Sequence, residues 1–440
     1  MPDTKKLTYK TVFVFWIPLV ITWLLMSVEG PFLSAIIARM ALPKYNLAAY
    51  GVSFSFALIV EAPVIMLMSA STALVKDYHS FKKLKNFTYL LNGIITLVML
   101  FLLIPQVFDF IATKLIELPT KVSEITYWAF VALLPWPSAI GYRRFYHGIL
   151  IRNNYTRYVT FGTMLRLAIM LTTSLFLYFY SNLSGAIVAS TALSFGVVAE
   201  AIGSRILSRK ILLKIKRDTS QSNNVLTYKE IFKFYYPLAL TSMLSLGIHP
   251  VVVFFIGQSR MSIESLAVLP VINALIFIFR AVGLSFHEAF IALLGENGES
   301  YPLLKKFGIF AGSISTLLLY AITLTPLSTI WFHNISGLSL ELTRLSALPA
   351  IIVSIIPALT FLISVQRAVL VYTKHTSPLT IATIIEVITI LLVLFAGVHF
   401  FNFIGVLAAT IAYVTGRLLA NIYLTFPYGK SIKSFKTKAK

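Results

Sequence analysis

Residues 12–35 read VFVFWIPLVITWLLMSVEGPFLSA, and residues 234–257 read FYYPLALTSMLSLGIHPVVVFFIG. Crossing the hydrocarbon core of a bilayer takes about 20 mostly apolar residues. The first stretch carries one formal charge, Glu29, and the second none, so each reads as a membrane-spanning helix. At an offset of 219, Pro18-Leu19 falls on Pro237-Leu238, Thr22 on Thr241 and Pro31 on Pro250. Two spans with prolines in the same places, half a chain apart, point to a duplicated membrane bundle.

The rest of the chain extends both readings. Leu47-Ala48 matches Leu266-Ala267 at offset 219, and Gly185, Ala189, Ala192 and Gly196 match Gly405, Ala409, Ala412 and Gly416 at 220. Pro135 matches Pro357 at 222. Twelve apolar stretches follow one another, at roughly 12–35, 47–75, 87–110, 124–148, 158–180, 184–204, 234–257, 265–293, 307–331, 345–370, 378–399 and 403–426. They lack the period-two alternation of a membrane barrel. Backbone groups in lipid must be satisfied within the segment, so the stretches are expected to be helices. The expected fold is an all-α polytopic membrane protein of twelve transmembrane helices, built as two six-helix lobes in a direct, parallel repeat.

Composition agrees. The 440 residues are 58% hydrophobic and 12% charged, against about 45–50% and 25% in soluble domains. So few charges cannot cover a water-facing surface, which excludes a soluble enzyme and a disordered chain. The absence of cysteine removes disulfides and thiolate metal sites.

The net charge of +21 would suggest nucleic acid in a soluble protein. Its distribution says otherwise. With the N-terminus inside, the cytoplasmic segments hold 25 Lys and Arg and the external ones 6. That asymmetry is the positive-inside signal. It predicts both termini in the cytoplasm, a plasma or inner membrane location, and anionic lipid headgroups rather than nucleic acid as the partner of the basic loops. The longest polar segment, 207–230, divides the chain into an N-terminal lobe at 1–206 and a C-terminal lobe with a basic tail at 231–440.

A direct six-plus-six repeat suits two transporter groups. The Gly-rich loop signature of the major facilitator superfamily is absent, since the corresponding loop reads Lys76-Asp77-Tyr78-His79-Ser80. Both halves open on an aromatic-Pro-Leu start and a Pro-broken first helix. In this the chain resembles the multidrug/oligosaccharidyl-lipid/polysaccharide (MOP) flippase superfamily, which includes the MATE exporters. Within that group it is similar to the progressive ankylosis (ANKH-type) transporters. The similarity rests on Pro18-Leu19-Val20-Ile21-Thr22 with Glu29, Leu47-Ala48-Ala49-Tyr50-Gly51, Gly148-Ile149-Leu150, and Tyr236-Pro237-Leu238-Ala239-Leu240 with Pro250. The resemblance implies two V-shaped lobes, a central cavity and alternating access.

An ionisable side chain at bilayer depth is expensive and is read as functional by default. The acids that qualify are Glu29, Glu61, Glu200, Glu288 and Glu386. Glu61 aligns with Arg280 at offset 219, and Arg166 with Glu386 at 220. Each half thus carries one acid and one base in swapped positions, which predicts a Glu61–Arg166 pair in one lobe and an Arg280–Glu386 pair in the other. Such pairs either fix helix register or form a charged cavity wall. Glu29, in Val28-Glu29-Gly30-Pro31, stands beside carbonyls freed by a helix break. Glu29 and Glu61 are therefore the candidates for coupling to H⁺ or Na⁺. Ile248 and His249 occupy the place of Glu29 in the second half.

Candidate substrate contacts are Arg144, Arg280, His249 and Glu288, with Arg suited to phosphate or carboxylate. Arg143, Arg144 and Arg367 could instead snorkel to the cytoplasmic interface. His287-Glu288 resembles the start of a zinc helix, but Ile291 stands where the second His belongs, so no metal is expected. Glu200 and Arg417 receive no role. No catalytic set is apparent and no cofactor is expected. The expected function is a secondary active transporter or exporter of a small organic solute or amphipath, acting as a monomer. The alternatives are a flippase for a lipid-linked phosphate or sugar and, remotely, a membrane-embedded transferase.

Overall fold

The structure, a computed structural model, describes residues 7–153, 155–217, 226–295, 298–373, 375 and 377–438. It is all-helical. In chain order the principal helices are α1 (Tyr9–Ser27), α2 (Glu29–Ala38), α3 (Pro43–Glu61), α4 (Leu67–Leu74), α5 (Tyr78–Leu102), α6 (Thr120–Ala132), α7 (Trp136–Arg152), α8 (Thr156–Tyr180) and α9 (Gly185–Leu207). The order continues with α10 (Arg209–Arg217), α11 (Tyr228–Gly257), α12 (Ser262–Leu293), α13 (Tyr301–Thr323), α14 (Leu340–Val353), α15 (Ile356–Tyr372), α16 (Ser377–Phe395) and α17 (Gly405–Lys438).

Among the described residues 11 segments are long and apolar enough to cross a membrane. The twelfth expected span, 124–148, is helical but broken by a turn at 133–135 into α6 and α7. Proline cannot continue a helix without losing a hydrogen bond, and Pro135 and Pro137 stand at this break. Apolar side chains such as Leu97, Phe101, Phe179 and Leu317 are exposed on the helices, as a surface wetted by lipid requires. The chain is an integral membrane protein.

The repeat is written into the backbone. Leu42 and Met261, 219 apart, are both left-handed and both precede the second helix of their half. The third span of each half ends in a widened turn, at Phe110–Leu115 and at Ile330–Ile335. Glu117 and Gly337, 220 apart, follow with positive φ. The Leu118 amide bonds the Ala112 carbonyl at 2.9 Å, and the Leu338 amide bonds Phe332 at 2.9 Å. A left-handed residue strains any side chain, so its recurrence at Glu117 and Gly337 reflects the repeated turn rather than the residue.

The chain forms two compact units. The amino unit comprises Ile36–Gln258 with Ser262–Ala267. The carboxyl unit comprises Met1–Ala35, Ser259–Met261 and Val268–Lys440. Each unit therefore holds the first helix of the opposite half, α1 in the carboxyl unit and α11 in the amino unit. Trp16 and Tyr235, 219 apart, anchor these helices in the same way. The Trp16 indole donates to Ser285 Oγ at 2.9 Å and meets the Phe307 ring edge-on at 5.3 Å. The Tyr235 hydroxyl donates to the Pro63 carbonyl and meets Phe87 edge-on at 5.2 Å. Phe87 and Phe307 are themselves 220 apart.

Of the polar segment expected as a linker, 218–225 lies outside the described residues, and the part before it is the helix α10. Its sequence RKILLKIKR is strongly amphipathic. Ile211 is buried with Val75, Phe81, Tyr146, Ile149 and Ile231 of the amino unit. The start of α5 is held by a capping box, in which the Ser80 amide donates to Asp77 Oδ1 at 2.7 Å and the Asp77 amide donates to Ser80 Oγ at 3.0 Å.

Candidate functional site

Each unit encloses a cluster of charges at mid-helix. In the amino unit the centre is Glu200 on α9, whose side chain is fully buried. Arg143 on α7 donates to Glu200 Oε2. Arg166 on α8 places Nε 3.5 Å from the same oxygen. His147 Nε2 lies 3.8 Å from Glu200 Oε1, and Thr163 Oγ1 donates to that oxygen at 3.4 Å. The Ser204 hydroxyl donates to the Glu200 carbonyl at 2.7 Å, so its oxygen accepts from His147 Nε2 at 2.9 Å. That network assigns the His147 proton to Nε2.

Glu61 adjoins this cluster from α3. It is 5% exposed and ends its helix where Pro63 breaks the second span. The guanidiniums of Arg144, Arg143 and Arg166 lie within electrostatic reach of it. Among the described residues its Oε2 accepts no hydrogen bond.

In the carboxyl unit Glu386 on α16 pairs with Arg417 on α17 at 2.8 Å. Arg280 on α12 lies within electrostatic reach of Arg417, Glu386, Tyr413 and Arg367. Of the three arginines, Arg417 alone pairs with the carboxylate among the described residues. Among the described residues the buried Nε atoms of Arg144, Arg280 and Arg367, and the Tyr413 hydroxyl, have no hydrogen-bond partner.

The pairing differs from the sequence expectation. The carboxylate facing Arg166 at 3.5 Å is Glu200, and the guanidinium on Glu386 is Arg417. Glu61 and Arg280 stand beside those pairs. The bonded pairs lie across the last two spans of each half. Arg166 and Glu200 lie on α8 and α9; Glu386 and Arg417 lie, reversed, on α16 and α17. Arg143 also departs from expectation: it is 5% exposed and bonded inward, so it does not snorkel.

Two matched glycines explain why the charges meet there. A Cβ on Gly196 would lie 2.9 Å from the Arg166 carbonyl oxygen, and one on Gly416 would lie 3.0 Å from the Glu386 carbonyl oxygen. Small residues let membrane helices approach closely, and here each approach occurs at the ionised residue. Sequence reasoning passed over Glu200 and Arg417. The available signal was that Glu200 stands one helical turn after Gly196, and Arg417 directly after Gly416, on helices that match at offset 220.

The remaining candidates are dispersed. Glu29 begins α2, half-buried in the carboxyl unit, whereas Glu61 belongs to the amino unit. His249 on α11 is half-buried in the amino unit. Glu288 is exposed on α12, and its neighbour His287 places Nδ1 3.1 Å from the Ser364 carbonyl.

No protein-family model and no curated protein matches the sequence. Solved structures do. The chain is similar to a multidrug resistance MATE family transporter of the MOP superfamily in its inward-facing conformation. That match has a TM-score of 0.74 and 15% identity, covering 95% of this chain and 96% of the other. It is also similar to a mutant of the Vibrio cholerae MATE transporter VcmN, with TM-score 0.63, 16% identity and 97% of both chains covered. A third structure is a Pyrococcus furiosus MOP superfamily transporter described by the reverse polarity of its binding pocket. It matches with TM-score 0.64 and 15% identity over 97% of this chain and 96% of that one. The fold of the chain is that of MATE transporters of the MOP superfamily.

Proposed function

We propose that the chain is a secondary active transporter that moves a small organic anion or anionic amphipath by alternating access. One observation carries the reading. Each unit carries three arginines on its spanning helices, buried or half-buried: Arg143, Arg144 and Arg166 in one, Arg280, Arg367 and Arg417 in the other. In the carboxyl unit only Arg417 of the three pairs with a carboxylate, Glu386, among the described residues. A buried guanidinium without an acceptor is expensive, and an anionic substrate supplies acceptors in the bidentate geometry that Arg prefers. Arg144, Arg280 and Arg367 are assigned to the substrate because among the described residues none of them pairs with a carboxylate, whereas Arg143, Arg166 and Arg417 each do. Arg143, Arg166 and Arg417 are assigned to holding helices. The likeness to MATE folds supports transport, and the Pyrococcus furiosus relative shows by its description that pocket polarity varies on this fold. The ANKH-type resemblance of the sequence supports alternating-access transport, not a particular substrate.

Glu61 is the proposed coupling acid. It is buried at a helix break among arginines, and its Oε2 accepts no hydrogen bond among the described residues. Glu29, in the other unit, is the second candidate. Proteoliposomes loaded with a panel of organic anions and cationic dyes, with and without H⁺ or Na⁺ gradients, test both parts. Anion movement that follows the H⁺ gradient in wild type, and ignores it in Glu61→Gln, supports the reading. Movement of cationic dyes alone, or of lipid-linked sugars alone, refutes it.

A further inference from the structure

The amino unit contains a cavity of about 300 Å³ that the transport reading does not use. This is at the lower end of the about 300–1,000 Å³ typical of ligand sites. It is closed on one side by α10, which folds over the ends of α5 and α9. Four cations line it: Lys85 of α5, Arg205 of α9, and Arg209 and Lys216 of α10. Tyr78, Tyr89 and Tyr146 line it with them, and no acidic residue does. Among the described residues none of the four cations forms an ion pair. Two rest on aromatic faces instead: Arg205 lies 5.3 Å from the centroid of Tyr146, and Lys85 lies 5.8 Å from that of Tyr89. Such contacts hold a cation in place without neutralising it.

The periodicity of α10 selects what enters the cavity. Arg209, Leu212, Leu213 and Lys216 recur at helical spacing and face it, while Lys210 and Lys214 are not among its lining residues. The positive-inside rule asks only for basic residues on this side of the membrane. It does not ask that four of them converge with three tyrosines on one cavity.

We propose that this cavity binds a phosphate group presented at the membrane surface, with Arg205, Arg209, Lys85 and Lys216 neutralising it and the tyrosines donating to its oxygens. The source is either a lipid headgroup or a soluble phosphate ester. Arginine and lysine clusters on an amphipathic helix next to a span are suited to anionic headgroups. Binding is measured without transport, so the site stands or falls independently of the proposed function.

The test is binding of dioctanoyl phosphatidic acid to the purified full-length protein in neutral detergent, followed by native mass spectrometry or thermophoresis. Saturable binding is expected. Arg209→Gln with Lys216→Gln should weaken it by about tenfold or more. Lys210→Gln with Lys214→Gln, which removes the same charge from the same helix, should change it by less than about twofold. Lys85→Gln with Arg205→Gln repeats the test from α5 and α9, independently of whether α10 stays folded. Competition by glycerol 3-phosphate at similar concentration would assign a soluble ester, and its failure to compete would assign a lipid. Equal weakening by the lining and non-lining pairs, or no saturable binding, overturns the site.

Discussion

Replacing Glu200 by Gln leaves its shape in place and removes the charge that Arg143 and Arg166 share. The side chains of those arginines are each 6% exposed and that of Glu200 is 0% exposed. At an effective dielectric constant of about 20, a unit-charge pair at the 3.5 Å separation of Arg166 and Glu200 attracts by about 5 kcal/mol before desolvation is counted. Removing one partner of a buried pair exposes the desolvation term of the other and costs about 3–5 kcal/mol. Glu386→Gln is the internal comparison. Its pair with Arg417 is 14–16% exposed, so less desolvation is left uncompensated when one partner goes, and the expected loss is smaller than at Glu200. The assay is reversible unfolding in mixed micelles, with wild type, the two Gln variants, Arg143→Met and the Glu200→Gln/Arg143→Met double variant. The double-mutant cycle should give a coupling of at least about 1.5 kcal/mol. A loss below about 1 kcal/mol for Glu200→Gln, or a loss no greater than that of Glu386→Gln, would refute the reasoning.

The matched glycines give opposite outcomes to an unmatched one. Gly196→Ala and Gly416→Ala should destabilise by about 1–3 kcal/mol through the clash with the facing helix, whereas Gly93→Ala, whose Cβ meets nothing within 4 Å, should stabilise by about 0.5–1 kcal/mol. Thermal unfolding of the three variants decides. Exchanging the charges of the carboxyl pair, Glu386→Arg with Arg417→Glu, should recover stability lost in either single variant, and its failure would count against the pair. At Asp77, partial burial acts to raise the carboxyl, but the Ser80 hydrogen bonds and His79 outweigh it and hold the group below its ordinary 3.8. The cap therefore adds stability above that pH and loses it as pH falls through the lower folded value. Asp77→Ala should lose about 1 kcal/mol at neutral pH, and a pH series should show the difference vanish in acid.

Much of the fold was legible because its determinants are local. Span length, Pro18 and Pro237, and the offset of 219–220 needed only counting, and Leu42, Met261, Glu117 and Gly337 repeat them in the backbone. The site was half legible. The sign reversal at Arg166 and Glu386 showed that each half keeps its own pair, but alignment compares the halves and says nothing about which helices touch within one. Helix contact is set by where small residues permit approach, and Gly196 and Gly416 bring α9 against α8 and α17 against α16. That geometry gave Arg166 to Glu200. The placement of α1 and α11 was not legible for the same reason: the Trp16–Phe307 and Tyr235–Phe87 contacts join residues about 290 and 150 positions apart. The helix α10 was hidden in a segment whose charge reads as linker, although Ile211, Leu212 and Ile215 already carried a buried face.

The central claim is that Arg144, Arg280 and Arg367 bind the transported species. It is tested most directly by uptake in proteoliposomes of wild type, Arg280→Gln and Arg144→Gln, offered organic anions and the cation ethidium in parallel. The account predicts saturable uptake of an anion and not of ethidium, with at least about a tenfold loss in Arg280→Gln, as expected when a charge-assisted bond is removed. Ethidium transport that persists undiminished in both arginine variants would contradict it.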